Sequence, residues 1–480
     1  MMINTKKVGF IMIKKIITTT MMFAVTIGLF GCGSDEETPP PIQSSTTSVT
    51  TENRNNVDNV PSETEETPIP AELAEIPDEK FATAENISAR LVGVSSINAL
   101  KDDGSVWAWG NNDYAEIGFK GGKYVLTPHK VQGVENIKSL SWIFQIIEAL
   151  DENGVIYRWG GNREAPEVLD ELSDIKQQVG AMGVQVTLKS DGSVWSSGAE
   201  TFAFGMQLTQ IELPPIEKIV VGNYCVFAIT ENGEVYAWGE NHYGQLGIGT
   251  TAETLTPTKL TNLTNIVDIV SNSSQSFALC SNGDVYAWGN NELGIVGNGR
   301  VERSSQTTPY KIQSLIDIKK IYFDGYNNPA VYAINKYGQV YSWGRVGSET
   351  VSTPQLIIGL NGVTQLALDD NCAFAVTVSG HVYAWGQNWH GSLGNGKSAS
   401  DYDSTYAVEP LFRIEELKNI VALSSHHRTI LAIEENGEIW GWGSNYSGEL
   451  LNGKTGDNYT SGDSHAHEKR PIRIGFNLFK

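Results

Sequence analysis

Asp103-Gly104-Ser105-Val106-Trp107-Ala108-Trp109-Gly110 decides the fold, because the same eight-residue pattern returns seven more times, at residues 153–160, 191–198, 232–239, 282–289, 337–344, 379–386 and 436–443. Every copy has Gly second and Gly last, and Asn or Asp opens all but the copies at Tyr337 and Ser379. Asn-Gly and Asp-Gly suit a two-residue hairpin turn, whose central positions both need positive φ. Each copy therefore reads as a tight turn feeding a strand. Within the strand the period is two: Trp107 and Trp109, Tyr236 and Trp238, Tyr286 and Trp288, Tyr383 and Trp385, and Trp440 and Trp442 share one face. Ala108, Ala237, Ala287, Ala384 and Gly441 share the other. A sheet with one bulky and one shallow face stacks on a copy of itself, and alone it would leave its rings wet, so the repeats are stable only in an array.

The closing glycines, Gly110, Gly160, Gly198, Gly239, Gly289, Gly344, Gly386 and Gly443, are separated by 50, 38, 41, 50, 55, 42 and 57 residues by subtraction. Those lengths fit a four-stranded blade plus a variable loop. An alternating strand precedes each hairpin, as in Phe227-Ala228-Ile229 or Phe374-Ala375-Val376, and another apolar strand precedes that, as in Ile219-Val220-Val221. A polar, Gly-rich loop follows the Trp-Gly pair and leads into a strand such as Thr256-Pro257-Thr258-Lys259-Leu260. With four strands per unit and no helical periodicity, the expected fold is all-β: one closed propeller of eight four-stranded blades, with seven blades as the alternative. The propeller is expected over residues 81–480, after a signal segment at 1–32 and a linker at 33–80.

The chain has 480 residues, a formal net charge of −21 and 40% hydrophobic residues. Residues 33–80 carry twelve Asp and Glu against Arg54 and Lys80, few aromatics and Pro39-Pro40-Pro41, a composition that cannot bury enough apolar surface to offset its ordering entropy. They read as an acidic, disordered tether. The rest of the chain is acidic too, which argues against a nucleic-acid partner. At the N-terminus Lys6, Lys7, Lys14 and Lys15 precede an apolar run from Ile16 to Phe30 that ends in Leu29-Phe30-Gly31-Cys32. This resembles the lipobox of bacterial lipoproteins, with Phe30 bulkier than usual, and implies that Cys32 is acylated and anchors an extracytoplasmic body to the membrane of a cell envelope.

The run Tyr236-Ala237-Trp238-Gly239-Glu240-Asn241-His242-Tyr243-Gly244-Gln245-Leu246-Gly247-Ile248-Gly249 resembles the signature of the regulator of chromosome condensation repeat family. Gln387-Asn388-Trp389-His390-Gly391-Ser392-Leu393-Gly394-Asn395-Gly396 repeats it. The resemblance covers roughly residues 86–475 and implies a single closed propeller, usually of seven blades. Eight hairpins, a degenerate third copy ending Trp195-Ser196-Ser197-Gly198, and no His in the slot where the family often has one depart from it. That slot holds Ser96, Ile146, Val184, Cys225, Gln275, Ala330, Cys372 and Thr429.

Cys225, Cys280 and Cys372 sit in separate repeats, too far apart for a disulfide, and read as buried, reduced thiols. His465 and His467, with Asp457 and Asp463, read as a solvated loop rather than a metal site, and His426-His427 as rim residues. The glycines of residues 244–249 and 294–299 lack the following helix and Lys-Ser/Thr pair of a phosphate cradle and are turn residues. No nucleophile elbow, no His-Glu-x-x-His and no framed carboxylate pair is present, so neither catalysis nor a cofactor or metal is expected.

Long segments follow the first hairpin (111–127), the seventh (387–409) and the eighth (444–470). In a closed ring those blades are neighbours, which would gather Tyr114, Tyr124, Trp389, His390, Tyr402, Tyr406, Tyr446 and Tyr459 on one sector as partner-binding anchors. The expectation is a monomeric, surface-tethered, non-enzymatic propeller that binds a protein, or a surface polymer, through these rim loops. The resemblance adds that the repeat family includes a secreted β-lactamase inhibitor of this architecture. Its best-known role, guanine-nucleotide exchange on a small GTPase with chromatin binding, is the alternative, and an extracytoplasmic carbohydrate-active enzyme is the second.

Overall fold

A computed structural model describes residues 73–480 apart from 89, 93–95, 144, 170–172, 182–183, 198–208, 325–328, 347–348, 370–371, 399–407 and 457–465. Cys32 and most of the linker therefore lie outside the described residues. The described chain forms eight four-stranded antiparallel sheets, each built from four consecutive strands. The blades span residues 91–130, 137–168, 175–211, 216–259, 266–311, 318–356, 363–413 and 420–477. First strands of successive blades approach one another around the centre. Blade 8 meets blade 1 directly, as Leu431, Ile439, Ile474 and Phe476 pack with Leu91, Ile97 and Trp109. The ring is an eight-bladed propeller closed by packing, with no strand exchanged between its ends.

The Asp/Asn-Gly turns differ from the sequence expectation in one respect. Gly104 has φ +74 but Asp103 does not enter the positive region. Gly104 N–H donates to Lys101 O and Lys101 N–H to Ser105 O, the pattern of a three-residue loop closed by a left-handed glycine. Asp103 instead accepts the Ser105 N–H at 2.9 Å and its hydroxyl at 2.6 Å, so the acid serves as a side-chain turn cap. The glycine also meets the next blade: its carbonyl accepts Ile137 N–H, and a Cβ there would lie 2.9 Å from the Asn136 Cα. The same carbonyl bond recurs at Gly154, Gly192, Gly233, Gly283, Gly338 and Gly380.

On the opposite face the blades are latched by the tryptophan that precedes the closing glycine of the third strand. Trp288 is fully buried, and its Nε1–H donates to Gln245 O of blade 4 at 2.6 Å. Trp159, Trp343, Trp442 and Trp109 bond in the same way to Glu116, Ile295, Ser392 and Glu449 of the preceding blade, the last across the ring's seam. The loop is shaped for this by a buried asparagine. Asn241 Oδ1 accepts Leu246 N–H at 2.9 Å, and its Nδ2 donates to Thr250 O and Ala252 O. Gly247, with φ +74, lies against the indole, and a Cβ there would sit 2.9 Å from the Trp288 Nε1. Phe227, Phe277 and Phe374 meet the edges of the next blade's Trp288, Trp343 and Trp442. The bulky face of each third strand thus fills the shallow face of the blade before it, as the alternation requires.

Among the described residues one helix, Asp78–Ser88, precedes blade 1 and overlaps the end of the segment read as tether. Ile76 and Phe81 are buried between blades 6 and 7, and Ile87 packs into the cluster at the junction of blades 8 and 1. Ile76 N–H donates to Lys336 O at 2.8 Å. Asp78 pairs with Lys319, Glu85 with Lys320 and Glu75 with Lys336. The helix eluded sequence analysis because only Phe81 and Ala84 are buried within it, too few to set a helical period. Among the described residues no helix is long and apolar enough to cross a membrane.

Trp442→Phe keeps the ring but removes the donor to Ser392 O, leaving a buried carbonyl unpaired. It is expected to destabilise by about 1–2 kcal/mol in chemical denaturation. Trp385→Phe, in the blade that follows the signature-less blade 6, is expected to cost less.

Candidate functional site

The loops between third and fourth strands lean forward onto the next blade, so the long segments of blades 7 and 8 meet. In blade 7 the loop begins Asn388-Trp389-His390-Gly391, with Asn388 Oδ1 accepting Leu393 N–H at 3.0 Å. His390 occupies the slot of Tyr243, which is 46% exposed in blade 4, yet His390 is buried. The cover comes from blade 8. His467, just ahead of that blade's fourth strand, lies with Nε2 3.0 Å from His390 Nδ1. Arg428, in the turn between its first two strands, places NH1 2.7 Å from His390 Nε2. Tyr446 presents its ring edge-on to both imidazoles, with centroids 5.6 and 4.8 Å away.

The chemistry of Arg428 orders the donors. A guanidinium has no acceptor, so His390 accepts at Nε2. As a neutral imidazole it then carries its hydrogen on Nδ1 and donates to His467 Nε2. The Arg428 guanidinium also lies over the Trp389 ring, 5.5 Å from its centroid, while Trp389 Nε1–H donates to Gln387 Oε1. Arg428 and His390 both hold positive φ, 66° and 51°, and the Arg428 N–H donates to Asp369 Oδ2 of blade 7 at 2.5 Å. Two strained backbone positions, a stacked cation and a hydrogen-bonded imidazole pair make a stiff platform of polar-tipped aromatics.

The expected anchors are distributed as follows. Trp389, His390 and Tyr446 come together. Trp389 and Tyr446 are half-buried, whereas His390 is an internal strut. Tyr402, Tyr406 and Tyr459 lie outside the described residues, as does His465. Tyr124 is half-buried, with Lys123 Nζ 5.0 Å from its ring, on the strand whose Leu126 touches Gly448 of the blade 8 loop. Tyr114 is exposed and turns to blade 2, its carbonyl accepting Asn162 N–H. Arg428 and the structural use of His467 escaped sequence analysis. The available signal was that Arg428 fills a turn slot held by Tyr224 and Ser274 elsewhere.

No group of three or more His, Cys, Asp or Glu suited to a metal ion occurs among the described residues. Cys225, Cys280 and Cys372 are buried, and burial pushes the Cys225 and Cys280 thiols up to about 11. A second polar site was also missed. Glu148, in a slot that is Phe in blades 4, 5 and 7, is buried against Arg158, Gln178 and Gln185, with Arg158 Nε 2.7 Å from its Oε1. All of its described partners are protein groups of blades 2 and 3, and it holds those blades together.

The regulator of chromosome condensation (RCC1) repeat matches residues 232–279 and 282–323, and a second form of that repeat matches 216–245 and 266–295. The chain thus carries repeats of this type. It is 28% identical over 393 residues to the mouse E3 ubiquitin-protein ligase HERC2, covering 79% of this chain but 7% of that protein. It is 29% identical to the protein pim1 of Schizosaccharomyces pombe, over 68% of this chain and 63% of pim1. The human regulator of chromosome condensation is 24% identical, over 73% of this chain and 83% of that protein. The chain therefore spans less than two thirds of HERC2 and of pim1. Among solved structures, Prp20p from Saccharomyces cerevisiae superposes with a TM-score of 0.50 at 16% identity, covering 84% of this chain and 90% of that one. The shared feature is the propeller.

Beside Tyr446, Glu449 is buried under the seam, and burial pushes its carboxyl from 4.5 up to about 7. The folded state therefore holds this proton more tightly than the unfolded chain. The associated stability is complete below about pH 4.5 and is lost as pH rises through 7. Glu449→Gln keeps an acceptor for Ser447 N–H, as Gln245 does for Tyr243 N–H. Melting curves at pH 5 and pH 8 are expected to show the variant more stable at pH 8, by on the order of 3 kcal/mol, with the gap closing at pH 5.

Proposed function

We propose that this protein is a lipid-anchored, non-enzymatic propeller that captures another protein through the loops at the junction of blades 7 and 8. The observation that carries this reading is the platform of Trp389, Arg428, His390, His467 and Tyr446, where two long segments meet on one sector. Aromatic and arginine side chains held rigid by internal hydrogen bonds are the composition of binding hot spots, because little side-chain entropy is left to lose. Support for protein binding in general comes from Prp20p, whose structure was described with its binding to Gsp1p and histones, and from its complex with Kap60.

The anchor reading rests on the basic start, the apolar run and Leu29-Phe30-Gly31-Cys32. Nucleotide exchange on a GTPase is the second reading, favoured by the 24% identity to the human regulator over 83% of that protein. Location separates the two: an exported chain meets no GTPase pool. Fractionation of cells expressing the wild type and Cys32→Ser is expected to move the protein from membrane to soluble extracytoplasmic fractions, and a cytoplasmic wild type would favour the exchange reading.

Trp389→Ala combined with Tyr402→Ala and Tyr406→Ala is expected to weaken capture of envelope proteins in a pull-down by at least about tenfold. The melting temperature should fall by only a few degrees, because Trp389 belongs to none of the inter-blade latches. Undiminished capture would remove the platform from the binding surface.

A further inference from the structure

The turn face, opposite the latching loops, has a sector that breaks the repeat's own rule. The residue before each Asn/Asp-Gly turn is Asp102, Glu152, Ser190, Glu231, Ser281 and Glu435 in six blades, but Lys336 and Val378 in blades 6 and 7. Where one blade's fourth strand leads to the next, the slot held by Gln132, Asp170, Thr261, Gln313 and Glu415 becomes Ile358. A third slot, Glu135, Ser173, Thr264 and Lys418 elsewhere, becomes Ile316. All three apolar replacements are exposed, Ile316 at 51%, Ile358 at 88% and Val378 at 52%. The junction hydrogen bonds place them on one sector: Lys336 N–H donates to Asp317 O, next to Ile316, Val363 N–H to Gly338 O, and Val378 N–H to Gly362 O. A polar residue holds each of these slots in the other repeats named, so neither turn geometry nor folding demands the apolar ones.

We propose that this strip of blades 6 and 7 is a lipid-contacting surface that turns the propeller's turn face toward the membrane. The inference rests on the anchor reading above. The upstream chain joins the fold on the strip itself, where Ile76 N–H bonds Lys336 O. The 44 residues from Cys32 to Ile76, counted by subtraction, keep the ring within about 150 Å of the bilayer even if fully extended. Contact is therefore an intramolecular event that weak apolar insertion suffices to bias. Charge agrees. The carboxylates at the strip, Glu75, Asp78, Glu85 and Asp317, are each paired with Lys336, Lys319 or Lys320. With the turn face toward lipid, the loop face and its aromatic platform point outward.

The test uses the full acylated chain in phosphatidylcholine vesicles, with an environment-sensitive fluorophore on Ile358→Cys. Cys225, Cys280 and Cys372 are buried and leave the label to that position. Leu255→Cys, on an outer strand, is the control. Phosphatidylcholine brominated on its chains is expected to quench the label at 358 several-fold more than at 255, and Ile316→Asp with Val378→Asp should bring it down to the control value. Equal quenching at the two positions overturns the proposal. So does sedimentation showing self-association that the two aspartates abolish, since the occupant would then be a second copy. A chain that does not float with vesicles sinks the anchor reading and the tethered contact with it, whereas a chain that floats but quenches equally at the two positions sinks the strip alone.

Discussion

The ring depends on an indole N–H pointed at a backbone carbonyl of the preceding blade. That carbonyl lies in a loop whose shape a buried asparagine imposes from within, and a glycine beside it lets the ring lie flat on the chain. Three residue types thus act as one device, and each is meaningless without the others. The device also explains why the repeats are imperfect without the ring failing. Blades 2 and 6 lack the loop, yet their hairpin glycines still bond the next blade on the opposite face. Among the described residues the junctions 1–2, 4–5, 5–6 and 7–8 carry both fasteners, and the others hold with one.

Closure follows from the same logic. Among the described residues no strand is exchanged between blades 8 and 1, and their junction uses the same latch as four others, Trp109 to Glu449 O, with Phe476 packed on Trp107 and Trp109. The acid in that latch is an oddity, because its carboxylate is taken out of water beside a seam that must stay shut. A glutamine fills the equivalent slot in blade 4, so the acid is a local choice rather than a demand of the loop.

Much of the architecture was legible because the signals were redundant. Turn, alternating strand and tryptophan recurred together, and a period of two cannot be mistaken for a helix when Trp and Ala alternate. The turn type was misread because Asp103 acts through its side chain, a role the Asp-Gly pair conceals. The platform was only half legible. Trp389 and Tyr446 were visible as aromatics in long loops, but His390 looked like an exposed anchor because its burial depends on Arg428 and His467, both distant in sequence. Glu148 and Asn98 replace a core aromatic or aliphatic side chain inside strands, and a single polar residue in an apolar strand carries no sign of what it meets across a junction. Asn98 is fully buried with neither amide atom paired among the described residues, and no interaction described here accounts for it.

The helix Asp78–Ser88 is fastened to blades 6 and 7 through Ile76 and Phe81, and its far end reaches the junction of blades 8 and 1 through Ile87. It runs from the cluster shared by blades 6 and 7 to the cluster shared by blades 8 and 1, and the chain then enters the first strand of blade 1. Traction applied from upstream is consequently borne first by lysine–carboxylate pairs and two apolar plugs seated in a different part of the circle. The mechanical load bypasses the one junction that lacks chain continuity, so a tug that would otherwise unzip the circle at its weakest joint is spent against its interior.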